Sequence, residues 1–204
     1  MVIEIVSWAA VGLILATSTV MLIIHDWRIN LGALALQYIA AFWLVTRHLP
    51  FVMGSTKLIT GWMVVAALGM TRLSLSSEEE EDNEESSLLR GRWFRMILMC
   101  IVALVTAGVT ARIEVVIPGL GLPVIAGGIL LIGAGVVHLG VTSEILRVII
   151  GLLTLLTGFE ILYAAVESSI LVAGLLSVIS LGLGLAGSYL LLAGTSPPEL
   201  ENEL

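Results

Sequence analysis

Residues 145–166 read ILRVIIGLLTLLTGFEILYAAV, and residues 170–193 read ILVAGLLSVISLGLGLAGSYLLLA. Each run is about 20 residues long and almost wholly apolar, the length a helix needs to cross the hydrocarbon layer of a bilayer. The runs are continuously apolar and do not alternate, so they read as helices and not as barrel strands. Only Glu167, Ser168 and Ser169 separate them, which predicts a tight turn between antiparallel spans.

Working outward, the same reading finds five more candidates, at residues 5–24, 31–45, 51–70, 94–111 and 123–139. The fold expected is an all-α, polytopic transmembrane bundle of about seven spans. The first run could be confused with a signal peptide, but its leading segment carries Glu4 and no Lys or Arg, so it is expected to be a transmembrane helix. The composition agrees. The 204 residues are 58% hydrophobic and 12% charged, and a soluble domain carries about twice that share of charge.

The formal net charge of −7 is lopsided. Of the 16 acids, seven fall between Glu78 and Glu85, which leaves nine against 9 basic residues elsewhere. The acidity therefore belongs to one loop. The expected organisation is three N-terminal helices (1–70), an acidic loop with an interfacial Leu-, Trp-, Phe- and Arg-containing segment (71–93), a fourth helix and outer loop (94–122), a three-helix unit (123–193) and a short acidic tail (194–204). The acidic run reads as a solvated linker.

Basic residues set the orientation. With seven spans, Arg28, Arg72, Arg90, Arg92, Arg95 and Arg147 share one side, and Arg47 and Arg112 the other. This predicts an outside N-terminus and a cytoplasmic C-terminus and acidic loop, in a prokaryotic plasma membrane.

Ionisable groups inside a bilayer are costly and mark functional sites by default. Glu160 is the clearest, deep in the sixth span between Phe159 and Ile161. A short carboxylate at that depth cannot snorkel to water; it is either a group that exchanges a proton, as a proton relay requires, or a neutral carboxylic acid hydrogen-bonded to a neighbouring helix in a structural or assembly protein with no transport role. Glu167 lies on the same helical face past Tyr163 and would be an outer station of such a path, or simply a wetted residue at the turn. Lys57 either snorkels outward or is an internal cation that pairs with Glu160. His138 and Arg147 would form a cytoplasmic entrance to Glu160 if spans five and six pack closely, and are otherwise interfacial anchors. Gln37 and Tyr38 read as helix-packing hydrogen bonders. Gly182 with Ala186 and Gly184 with Ser188 are small-xxx-small pairs that allow close helix approach.

The sequence contains no Walker loop, dinucleotide fingerprint, HExxH or CxxC, and only Cys100 as a thiol. No catalytic residue, metal or cofactor is therefore expected, and no nucleic-acid partner. The lipid bilayer and other membrane subunits are the partners expected.

Leu156-Thr157-Gly158-Phe159-Glu160-Ile161-Leu162-Tyr163-Ala164-Ala165 resembles the second helix of the small three-helix K subunit of respiratory complex I. The resemblance covers about residues 123–193 and places Glu160 on that family's membrane carboxylate. With helices preceding this unit, the chain looks like component E of the group 4 hydrogenases. The resemblance implies a non-catalytic subunit of an ion-translocating complex, beside antiporter-like subunits. The K subunit has a second carboxylate in its third helix, where this chain has Gly182, Leu183 and Gly184.

Overall fold

The computed structural model describes residues 2–75, 88–167 and 169–194. The acidic run at 78–85 and most of the tail lie outside these residues. The described residues form seven helices and no strand: α1 (Val2–Ile23), α2 (Trp27–Val45), α3 (Phe51–Leu75), α4 (Leu88–Val116), α5 (Leu122–Val141), α6 (Ile145–Val166) and α7 (Ile170–Ala193). All seven are long and apolar enough to cross a membrane, so the chain is an all-α, multi-pass membrane protein.

The last two helices coincide with the two runs quoted above. Other helices extend past their apolar segments, because backbone hydrogen bonding continues where side chains turn polar. α2 starts at Trp27, since Asp26 caps it: Asp26 Oδ1 accepts the Arg28 N–H at 2.8 Å. α4 starts at Leu88, so the Trp93–Phe94 stretch continues its axis. α5 follows Gly121, whose φ of 83° suits glycine, and carries Pro123 in its first turn.

α2, α5 and α6 are the inner helices, each with more than half of its apolar window buried (56%, 56% and 61%), whereas α4 has 17%. Bilayer tails are as apolar as leucine, so helices associate through packing more than through hydrophobic exclusion. Glycine makes the closest contact, between α5 and α6. A Cβ on Gly158 would stand 2.7 Å from the Gly128 carbonyl, and one on Gly135 would stand 2.7 Å from the Leu155 backbone nitrogen. Two apolar clusters result. One joins α1, α2, α4, α5 and α6 around Ile14, Leu44, Leu131 and Ile161. The other joins α2, α3, α6 and α7, with Met21 of α1, around Leu34, Leu68, Ile150 and Leu153. Only α2 and α6 contribute several residues to both, so they form the wall between them.

Candidate functional site: a buried ion pair and a distant basic cluster

Lys57 and Glu160 meet inside the bundle. Lys57 Nζ stands 2.7 Å from Glu160 Oε2, with side chains only 10% and 7% exposed. Lys57 lies two turns into α3 and Glu160 two turns from the end of α6, so antiparallel helices bring them to one level. Tyr38 of α2 completes the site. Its ring lies over Gly61 of α3, where a Cβ would be 2.5 Å from Tyr38 Cδ1, and it lines one small cavity with Thr157 and Glu160. Thr157 donates its own hydroxyl proton to the Leu153 carbonyl at 2.7 Å, which leaves its lone pairs for other donors. Tyr38, Lys57, Thr157 and Glu160 share a cavity of about 10 Å³, close to the space one water molecule needs.

An isolated charge in this setting would be expelled or neutralised. The pair offsets part of that cost through mutual attraction, and Glu160 Oε1, without a protein hydrogen-bond partner, stays free to accept a proton or a water. Chemically, the arrangement can hold a proton on one of two ionisable groups 2.7 Å apart.

The other residues singled out in the sequence take different places. Glu167 is exposed at the end of α6, where its backbone N–H closes the last turn on Tyr163 O. Tyr163 stacks on Phe159 with ring centroids 6.1 Å apart, toward the outside of the bundle. α5 and α6 do pack closely, yet Arg147 lies about 20 Å along α6 from Glu160, at 1.5 Å per residue. Gly184 packs on Val64 of α3, whereas Gly182 and Ala186 face outward and Ser188 is half-buried.

Arg147 belongs to a second cluster. Its Nη2 donates to the carbonyls of Met21 at 3.0 Å and Leu22 at 3.2 Å. Arg95 Nη1 donates to the same Leu22 carbonyl at 3.2 Å and meets His25 Nε2 at 3.0 Å. The last carbonyls of a helix have no partner within it and carry partial negative charge. Two guanidinium groups thus close the C-terminal end of α1. His138 is buried within electrostatic range of both arginines. His25 sits outside the spans. Partial burial and the positive charges of Arg147 and Arg95 lower its pKa below the ordinary 6.5, against smaller raising effects of the Ile23 backbone and Glu144.

Sequence reading did not single out Asn30, Thr154 or Thr157, which are all buried within the helices flanking the pair. Their spacing was a usable signal: Asn30 precedes Gln37 by seven residues, and Thr154, Thr157 and Glu160 follow one another at steps of three. Among the described residues, no group of three or more His, Cys, Asp or Glu could hold a metal ion. Comparison of the chain with protein families, with curated proteins and with solved structures returns no match.

Proposed function

We propose that this membrane protein is a non-catalytic subunit of a proton-translocating assembly, of the complex I-like or group 4 hydrogenase-like kind, in which Glu160 paired with Lys57 holds and passes a proton. The observation that carries this reading is the 2.7 Å Lys57–Glu160 contact inside the bundle. Two ionisable groups at that depth are expensive, and such groups mark proton or ion routes. The resemblance around Glu160 gives the class of assembly. The electron-transfer chemistry belongs to partner subunits, with the C-terminus and the acidic loop on the cytoplasmic side of a prokaryotic membrane.

Purification of the chain from its native membrane in mild detergent tests this. Large antiporter-like subunits should accompany it, and Glu160→Gln should lower proton pumping while leaving the complex assembled. Purification as a lone chain, with pumping unchanged in the variant, would sink the reading.

A second reading has its own observation. α3 packs on α2 and α7, and α6 on α5, α7 and α2, so the ion pair links helices that do not otherwise lie side by side. In that reading the pair is a structural clamp. Replacing both residues by leucine would then preserve assembly and all activity.

A further inference from the structure

The wall between the two apolar clusters is not itself apolar. Asn30 and Gln37 of α2 are each 1% exposed and Thr154 of α6 is 2% exposed. Both amide groups and the Thr154 hydroxyl lack a protein hydrogen-bond partner, as does Glu160 Oε1. Asn30 and Gln37 are seven residues apart and share a face of α2, and Arg147 and Thr154 share a face of α6 in the same way. Tyr38 is level with Thr157, and Arg147 reaches the end of α1 just before α2 begins. The two helices therefore run parallel, and their relative heights follow from the helical rise. Above Arg147 come Asn30 at about 3 Å, Thr154 at about 10 Å, Gln37 at about 13 Å, Tyr38 and Thr157 at about 15 Å and Glu160 at about 20 Å.

Left dry, each orphaned polar group would carry the full desolvation penalty of an unmade hydrogen bond. Several such groups together would consume much of the narrow margin that holds a domain folded. Internal water makes about three hydrogen bonds to groups of this kind, and successive groups in the series rise by no more than about 8 Å along the helix axes.

The shorter way out of the ion-pair site is different. There Phe42 meets Phe51 edge-on at 5.5 Å, Leu44 and Val45 are buried, and a Cβ on Gly54 would stand 2.5 Å from Thr46 Cγ2. That side carries apolar side chains beside the pair and, among the described residues, no comparable series of buried polar groups.

We propose that a file of internal water runs along the α2–α6 seam from Arg147 past Asn30, Thr154 and Gln37 to the Lys57–Glu160 pair, and that the pair exchanges protons with the side of the membrane at which α1 ends. The hydration stands on the seam alone, whereas its use as a proton route rests on the function proposed above.

NMR of the whole ¹⁵N-labelled protein in deuterated detergent micelles tests it. Gln37 is the sole glutamine in the sequence, so its side-chain amide is readily assigned. Direct water contacts should appear at the side-chain amides of Asn30 and Gln37. Interrupting the file with Asn30→Leu, or with the nearly isosteric Thr154→Val, should slow water exchange at Gln37 on the order of tenfold. A Gln37 amide without water contact overturns the proposal, and so does exchange that is unchanged in both variants. A dry seam would also make Asn30→Leu more thermostable than the parent, and that result counts against the file. Water contacts at Asn30 that persist in Glu160→Gln support the seam whatever that variant does to pumping, and contacts that vanish overturn it.

Discussion

Lys57 and Glu160 touch at 2.7 Å although α3 packs against α2 and α7 and not along α6. The contact is therefore made by long side chains across a gap between helices, and its worth depends on both members being present. Lys57→Met and Glu160→Leu should each lower stability by about 3–5 kcal/mol, because each strands a buried partner. The double variant should recover most of that loss. Thermal unfolding of the four proteins in detergent, analysed as a double-mutant cycle, measures the coupling; additive losses would show that the two groups do not depend on each other.

The α5–α6 contact predicts a contrast between glycines. Gly158→Ala puts a Cβ 2.7 Å from the Gly128 carbonyl and 2.8 Å from the Ile132 nitrogen, both backbone atoms that cannot swing aside. Separating the helices should cost about 1–3 kcal/mol. Gly182→Ala meets nothing within 4 Å, and in a helix interior it should be neutral or stabilising by up to about 1 kcal/mol. Unfolding midpoints of the two variants, compared side by side, check the order.

Arg147 supplies both charge and hydrogen bonds to the end of α1. Arg147→Met should destabilise by about 1–3 kcal/mol through unpaired carbonyls. Hydrogen exchange should locate the damage in the last turn of α1 and the residues leading into α2, while the α5–α6 contact stays protected.

His25 gives a pH dependence with a fixed sign. Its pKa is lowered on folding, first by burial and then by Arg147 and Arg95, so the unfolded chain binds its proton more tightly. Its contribution is complete above about pH 6.5 and is lost as the pH falls through 6.5 toward the lower folded value. Protonation also removes the acceptor that Arg95 Nη1 contacts at 3.0 Å. Unfolding curves between pH 7.5 and 5 should show a falling midpoint in the parent and a shallower slope in His25→Gln. Equal slopes would remove His25 from the account.

Sequence made the helices legible and left their meeting points obscure. α6 and α7 could be bounded to the residue because Glu167, Ser168 and Ser169 break a continuous apolar run. α2 was harder, since Arg28 and Asn30 lower the apolar signal just where the Asp26 cap begins the helix. Glu160 stood out because one carboxylate in an apolar run carries its own warning. Its link to Lys57 was only one of two readings open for that lysine, as a long stem can equally reach outward and sequence supplies no distance across the bundle. Asn30 and Thr154 escaped notice for a related reason: one neutral polar residue in a span is commonplace, and these two matter only once α2 and α6 stand side by side.

The arginine closure of α1 has a consequence for biogenesis. The carbonyls at the end of α1 are satisfied by guanidinium groups much later in the chain, at positions 95 and 147. While the chain is being made, that helix end meets Arg95 only after α2 and α3 are made and α4 has begun, and Arg147 only after α4 and α5 as well. The end of α1 is thus sealed only when α6 begins, and a nascent chain cut short before Arg147 leaves it unfinished for the membrane quality-control machinery to find.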